Sequence, residues 1–265
     1  GTGLEELSSI AMGFVAHGLG GAVLAGLPPK KSYLDCLKRA GHWQLSIEWP
    51  PGSGVFPHHE RSPYNTLNAA GHACETLSLC YAALRNIYDQ PHNLFLQGAL
   101  RAVRNILSCQ WENGCFPYRD YGHTTINYTS LVMWCVLNAL ETLGDTSAGV
   151  FPQEEIDASF DRACDFLRGC IDVDGRLLWE NGNENSTAKY NMWTYVLTAN
   201  VLLRCGGREN QEAGERLLEG AFSMRTKSGL LPMRDRGEEI TECAFMQADM
   251  LLFLLPFSGM LETEC

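Results

Sequence analysis

The fold is decided by a turn that the sequence repeats four times, as Gly54-Val55-Phe56-Pro57, Gly114-Cys115-Phe116-Pro117, Gly175-Arg176-Leu177 and Gly229-Leu230-Leu231-Pro232. The glycines of successive turns are 60, 61 and 54 residues apart. Each turn follows an amphipathic segment and leads through a polar loop into a strongly apolar segment. Self-similarity at a regular spacing indicates a fold that is built from repeated structural units.

The segments before and after the turns have different helical patterns. The leading segments place apolar residues at helical spacing among charges, as Ile156, Phe160 and Leu167 do. The trailing segments are apolar nearly all round, and they lie near residues 65–86, 127–142, 189–204 and 241–256. A helix that is apolar on every face is buried on every face. The repeat therefore predicts an all-α toroid of four or five helical hairpins, with amphipathic outer helices and apolar inner helices.

The second repeat reads Gln110-Trp111-Glu112-Asn113-Gly114-Cys115-Phe116, which has the form Q-x-x-x-G-x-(W/F). This sequence resembles the QW repeat of the terpenoid cyclase and protein prenyltransferase group of α/α toroids. The DxDD acid of the cyclases does not occur, and the nearest string is Asp172-Val173-Asp174-Gly175. The zinc ligands of the prenyltransferases have no match either. The resemblance therefore implies the toroid fold, and a shared fold does not define the reaction.

Composition limits the class of protein. The 265 residues fit one domain over residues 1–265, and the net charge of -11 argues against a nucleic-acid partner, which would need clustered Lys and Arg. The run Ile10–Leu27 has no charged residue, but it contains five glycines and His17, so it predicts a buried helix and not a membrane span. The eleven cysteines include no CxxC pair, which favours reduced core cysteines in a cytoplasmic protein.

The loops that follow the four turns are the most polar parts of the chain. Each leads into the N-terminus of an inner helix, so we expect all four loops at one mouth of the toroid. The positive ends of those helices favour a small-molecule substrate with an anionic group. The catalytic candidates are the proton carriers His59, Asp120, His123 and Glu180. The expected substrate-binding residues are His58, Tyr64, Tyr118, Arg119, Asn127, Trp179, Asn181, Tyr190, Asn191 and Arg234.

Several of these candidates have a structural alternative. Asp120 is positioned to orient His123 for proton transfer, but an Asp in this sequence is equally suited to cap the start of a helix. The segment Trp179-Glu180-Asn181 offers an aromatic platform, an acid and an amide, and it also suits an ordinary turn. Tyr190 and Asn191 suit either a polar substrate or buried hydrogen bonding at a helix start.

Short motifs for cofactors and metals do not occur. The sequence has no P-loop, no GxGxxG and no GxSxG. His58, His59, His72 and Cys74 lie at spacings that match no recognised metal motif. The sequence therefore predicts a protein that needs no metal and no other cofactor.

Three classes of function are compatible with these features. The leading interpretation is a cofactor-independent acid/base enzyme of the lyase or isomerase type, cyclases included. Its substrate would be small and largely hydrophobic, such as a terpenoid or polyene with a polar end, bound in the central cavity. One alternative is a carbohydrate-active enzyme, either a uronide lyase or a glycoside hydrolase, which Trp179 and the carboxylates of the loops favour. The other alternative is a non-catalytic binding domain.

Overall fold

The computed structural model describes residues 7–28, 30–60, 62–85, 93–119, 126–178, 190–235 and 244–257. Regular secondary structure within these ranges is helical, with three isolated antiparallel bridges. The helices are α1 (Ser9–Leu24), α2 (Lys31–Ser46), α3 (Leu67–Arg85), α4 (Asn93–Ser108), α5 (Ile126–Leu143), α6 (Asp145–Ala148), α7 (Gln153–Gly169), α8 (Met192–Cys205), α9 (Arg208–Ser223) and α10 (Ala244–Leu254). The predicted inner helices correspond to α3, α5, α8 and α10, so the predicted all-α class is confirmed.

Three of the four repeated turns need glycine for both conformation and space. A Cβ atom on any of the three would lie 2.0–2.1 Å from a backbone oxygen of a later outer helix. The pairs are Gly54 with Arg101, Gly114 with Arg162, and Gly175 with Arg216. All three glycines have positive φ, between +72° and +88°. In these three copies the turn packs its backbone directly against a helix backbone, where only glycine fits.

The glutamine of the QW-like sequence has a structural role. Gln110 Nε2 donates a hydrogen bond to the backbone oxygen of Ser159 on α7 at 2.8 Å. Ser159 Oγ donates in return to Gln110 Oε1, also at 2.8 Å. These two hydrogen bonds connect Gln110, two residues after the end of α4, to the outer helix α7.

The chain divides into two compact units. Unit 1 consists of Gly1–Glu112, Phe116–Thr124 and Leu131–Ser159. Unit 2 consists of Asn113–Cys115, Thr125–Ser130 and Phe160–Cys265. The boundaries fall within α5 and α7. That residues 1–265 form a single domain remains a prediction.

Parallel apolar helices form the interior of unit 1. In α1, Gly13 lies beside His72 of α3, and Gly20 lies beside Leu79 of the same helix. Both helices therefore run in the same direction, and the small residues of α1 form the face that packs on α3. The uncharged run is thus a helix, but the prediction that it is buried is wrong: only its face of small residues is buried, whereas Val15 is 45% exposed and Leu24 is 39% exposed. Nowhere in the described chain is a helix both long and apolar enough to span a membrane.

In unit 2, α8 packs against α9 and α10. Most of the α8 side chains are buried, whereas α9 has one buried face. Asn200 of α8 donates a hydrogen bond to the backbone oxygen of Phe253 in α10 at 2.6 Å. Helices α8 and α9 show the predicted contrast between an apolar inner helix and an amphipathic outer one. Helix α10 does not bury every face, because Leu251 is 62% exposed and only Met250 and Phe253 are buried among its described side chains.

Candidate functional site

The loop after the first turn is anchored to α1 and α2. The backbone N–H of Ser9 donates to the oxygen of His58 at 3.0 Å, and Ser9 Oγ donates to the oxygen of Pro57 at 2.8 Å. Gln44 of α2 donates to Ser9 Oγ at 3.1 Å. His58 and His59 are both half-buried, and their ring centres are 5.8 Å apart. The two imidazoles are thus held by backbone contacts at the N-terminal end of α1.

Arg119 lies in the loop after the second turn, beside the start of α3. Its backbone forms an antiparallel bridge with Thr66, and the N–H of Leu67 donates to the oxygen of Tyr118 at 3.0 Å. The guanidinium carbon lies 4.2 Å from the ring centre of Tyr64 and 5.2 Å from that of Tyr118. Two tyrosine faces therefore fix the position of this cation.

The charges of the loop after the first turn and of the loop after the second turn interact with each other. Burial lowers the pKa of His58, and the positive charges of His59, His72 and Arg119 lower it further. His58 is therefore more completely neutral at pH 7 than an ordinary histidine, with a ring nitrogen available to accept a proton. We name the group of His58, His59, Tyr64, Tyr118 and Arg119 the mouth cluster.

A polar centre lies deeper in unit 1, among the inner helices. Glu75 of α3 is buried, with 1% of its side chain exposed. Its Oε1 accepts hydrogen bonds from His17 Nδ1 at 2.7 Å and from Asn138 Nδ2 at 2.8 Å. Its Oε2 lies 3.8 Å from Nδ1 of the fully buried His72. Glu75 is eight residues into α3, or about 12 Å along the helix from its first residue.

The charge of Glu75 is stabilised within this centre. Burial acts to raise its pKa, but the hydrogen bond from His17 and the nearby His72 outweigh burial and lower it. His17 is 31% exposed and its ring lies 5.3 Å from that of Trp134. The carboxylate is therefore ionised at neutral pH and orients the histidine that bonds to it.

Cys135 of α5 approaches the same ring nitrogen of His72 as Glu75 does. Its Sγ is 3.8 Å from His72 Nδ1. The ring of Phe14 covers His72 at 5.1 Å, and a Cβ atom at Gly13 would lie 2.4 Å from Nδ1. One imidazole nitrogen, one carboxylate oxygen and one sulfur, from His72, Glu75 and Cys135, lie within 4.8 Å of one another.

Unit 2 has a hydrogen-bonded acid of its own. Asp235 accepts from the backbone N–H of Tyr190 at 3.0 Å and from the hydroxyl of Tyr195 at 2.8 Å. The Tyr190 hydroxyl donates to the oxygen of Leu178 at 3.2 Å. Arg234 is exposed, and its backbone forms an antiparallel bridge with Asn191. Tyr190 and Asn191 therefore hold the start of α8 in place.

The structure describes nine of the fourteen predicted site residues. Unit 1 brings five of them together as the mouth cluster. Asn127, Tyr190, Asn191 and Arg234 belong to unit 2, and Asn127 is half-buried in the first turn of α5. Asp120, His123, Trp179, Glu180 and Asn181 lie outside the described residues. The catalytic and binding roles of all fourteen remain predictions.

The polar centre was not among the sites predicted from the sequence. Its members come from three helices, and none lies in a polar loop: they are His17, His72, Glu75, Cys135 and Asn138. One signal was present, because His72 and Glu75 are three residues apart and so share a face of an otherwise apolar helix. Cys74, grouped with His72 on the sequence alone, instead donates to the oxygen of Gly71 at 2.9 Å.

Comparison with known proteins gives matches by structure alone. Neither a protein-family model nor a curated protein matches this chain. A cellobiose 2-epimerase from Bacillus thermoamylovorans B4167 superposes with a TM-score of 0.73 at 12% identity, over 95% of this chain and 72% of that chain. A D-mannose isomerase superposes with a TM-score of 0.64 at 12% identity, over 95% and 72%.

A third structure, described as a possible member of the GH105 family from Salmonella enterica, has a TM-score of 0.70 at 13% identity, over 96% of this chain and 72% of that chain. These matches show that the chain has the α/α-toroid fold, as the repeat predicted. The toroid part of the family resemblance is therefore confirmed. Its narrower link to the terpenoid cyclases is not supported, because the similar structures are sugar epimerases and isomerases and GH105-like proteins.

Proposed function

We propose that this chain is a carbohydrate-active enzyme that moves a proton on a sugar, as an epimerase or an isomerase does. The observation that carries the proposal is the mouth cluster. In it, the neutral His58 lies near enough to Arg119 for the arginine charge to lower its pKa, and Arg119 is held against the ring of Tyr64. The likeness to a cellobiose epimerase and a mannose isomerase supports it. In the proton-transfer route to either reaction, a base removes a proton from a carbon next to a carbonyl group. This favours the carbohydrate alternative over a terpenoid substrate.

His58 is the base in this proposal. Its neutral ring takes the proton from C2 of the open-chain sugar, and the C–H electron pair passes to the carbonyl oxygen to give an enediolate. Arg119 stabilises the negative charge of that oxygen, since a fixed cation stabilises charge that develops during the reaction. After the enediolate turns its other face towards the protonated His58, return of the proton to C2 gives the epimer. Delivery of the proton to C1, with transfer of the hydroxyl proton from O2 to O1, gives the isomer.

The positive charge of the mouth cluster also favours an acidic sugar. Arg119 is charged at every working pH, and His59 lies beside the base. A carboxylate on the substrate would pair with Arg119 through two parallel hydrogen bonds. We therefore include sugars with a carboxylate among the expected substrates. The chain's net charge of -11 argues against nucleic acid, and eleven cysteines without a CxxC pair favour a cytoplasmic location.

Glycoside hydrolysis is a second candidate, supported by the likeness to the GH105-like structure. Such hydrolysis ordinarily uses two carboxylates on either side of the bond. Among the described residues, Glu75 is the carboxylate that lies with the histidines of unit 1. One acid among several histidines is better suited to proton transfer than to hydrolysis.

Proton exchange with solvent tests the proposal. The purified chain is incubated in D2O with cellobiose, mannose or glucuronic acid, and NMR follows deuterium at C2 and the appearance of new sugars. We expect exchange on at least one of these sugars, and His58→Gln should slow it by about 100-fold or more. His42→Gln, which changes an exposed histidine of α2, is the matched control and should exchange normally.

The outcomes separate the candidates. Cleavage of a glucuronyl disaccharide without deuterium at C2 would favour the hydrolase. Equal exchange by His58→Gln and the wild-type chain would remove His58 from the mechanism. A chain that neither exchanges nor cleaves any of these sugars, while folded, would overturn the proposal.

A further inference from the structure

We propose that His72, Glu75 and Cys135 bind a divalent transition-metal ion, with Zn²⁺ as the best match, inside unit 1. Each residue offers one donor atom, and the three atoms lie within 4.8 Å of one another. All three side chains are buried. Inner helices α3 and α5 carry them, so a rigid part of the fold holds the donors.

Of the two distances from His72 Nδ1, the one to Cys135 Sγ is within the range of a weak hydrogen bond to sulfur, whereas the one to Glu75 Oε2 is not. His72 Nδ1 is 3.8 Å from Glu75 Oε2 and 3.8 Å from Cys135 Sγ. A nitrogen–oxygen distance of 3.8 Å is too long for a hydrogen bond. Two ligands of a tetrahedral zinc ion, bonded at roughly 2.0–2.3 Å, lie roughly 3.3–3.6 Å apart. Small side-chain movements would therefore place an ion between the three atoms.

The two oxygens of Glu75 have different surroundings. Oε1 accepts the hydrogen bonds from His17 and Asn138, whereas Oε2 is buried and has no hydrogen-bond partner among the described residues. A buried carboxylate oxygen without a hydrogen-bond partner lowers the stability of the fold, and a bound metal ion would supply the missing partner. His17 and Asn138 would then orient the ligand carboxylate through their hydrogen bonds to Oε1, as residues that bond to metal ligands commonly do.

The chemistry of the donors selects the ion. Imidazole and thiolate together favour zinc and other late first-row metals, whereas magnesium and calcium take sets of oxygen ligands. His17, which donates a hydrogen bond to Glu75, is 31% exposed, so the polar centre reaches towards solvent on that side. Gly13 packs directly against the His72 ring, where a Cβ atom would lie 2.4 Å from Nδ1.

The sequence alone predicted no metal because the donors match no short motif. His72 and Glu75 are three residues apart on α3, but Cys135 follows 60 residues after Glu75, on α5. The site shares no residue with the proposed mouth cluster. Metal binding can therefore be measured without a sugar, and its failure is separate from a failure of the proposed reaction.

Cobalt titration tests the site, because Co²⁺ replaces zinc in such sites and absorbs through a bound thiolate. The chain is stripped of metal with a chelator and titrated with Co²⁺, while circular dichroism monitors folding. We expect a thiolate–cobalt band that saturates at one equivalent, and Zn²⁺ should displace it. Cys135→Ser should lose the band and bind at least about 100-fold more weakly. Cys80→Ser changes a buried cysteine of α3 outside the proposed site. It is the matched control and should keep both the band and the affinity.

Two results would overturn the proposal. One is a wild-type chain without a saturable thiolate band, which needs no variant to interpret. The other is a band of equal size in folded Cys135→Ser. If Cys135→Ser does not fold, Glu75→Gln replaces it, because this variant keeps the thiol and loses the carboxylate ligand. Unchanged affinity in Glu75→Gln would likewise refute the site.

Discussion

A single methyl group at Gly114 should disrupt the repeated turn. The Cβ of Gly114→Ala would lie 2.0 Å from the backbone oxygen of Arg162 in α7. That oxygen belongs to the middle of a helix and cannot move without breaking helical hydrogen bonds. The residue also has a φ of +88°, which alanine adopts at a cost.

The chain contains its own control for this effect. Gly229 occupies the same place in the fourth turn and has nearly the same φ, +84°, but no described atom lies within 4 Å of its Cβ position. Gly229→Ala should lose only the conformational term, about 1–2 kcal/mol. Gly114→Ala adds the steric overlap, about 1–3 kcal/mol more, for a total of about 2–5 kcal/mol.

Urea unfolding of both variants, followed by circular dichroism, measures the difference. We expect the unfolding midpoint of Gly114→Ala to fall clearly below that of Gly229→Ala, with the wild-type chain highest. Equal midpoints for the two variants would refute the reasoning, because the turn would then need glycine for its conformation alone.

Three further results are expected. Glu48, which binds Arg101 and the N–H of Gly54, has a pKa lowered by those hydrogen bonds against the effect of burial. Glu48→Gln should therefore be less stable by about 1–3 kcal/mol at pH 7, and urea unfolding should show this difference shrink as the pH falls below about 4. Gln110→Ala, which loses both bonds to Ser159, should unfold about 1–3 kcal/mol more easily in urea. Arg119→Gln should raise the pKa of His58, measured by NMR titration, and Arg119→Lys should not, because the charge of Arg119 is one cause of the lowered value.

The helices could be predicted because burial is visible in the sequence. The apolar segment near 65–86 became α3, Leu67–Arg85, and the segment near 127–142 became α5, Ile126–Leu143. Apolar residues on every face predict burial on every face, which holds for α3 but not for α10, where Leu251 is 62% exposed. The turn glycines could be recognised because positive φ favours glycine at each turn, although their close contacts with the outer helices could not be predicted.

The polar centre could not be predicted, because it depends on contacts between distant parts of the chain. Glu75 meets His17 across 58 positions and Asn138 across 63. In the sequence His17 and Asn138 are single polar residues within apolar stretches, which is ordinary. Only the alignment of α1 with α3 and α5 places them together. The loops of the mouth cluster, in contrast, could be grouped because each follows a turn at the same offset.

The repeat register also gives an expectation for Asp120, which lies outside the described residues. The bonds from Leu67 to Tyr118 in unit 1 and from Met192 to Met233 in unit 2 are equivalent, so Asp120 corresponds to Asp235.

Asp235 holds the start of α8 through Tyr190 and Tyr195, and by the same register Tyr195 corresponds to Ala70, which has no hydroxyl to donate. We therefore expect Asp235→Ala to lower the free energy of unfolding by about 2–3 kcal/mol, and Asp120→Ala by about half of that. Urea unfolding and the deuterium exchange assay together decide the role of Asp120. A stable Asp120→Ala chain that has lost exchange would instead make this residue a proton carrier.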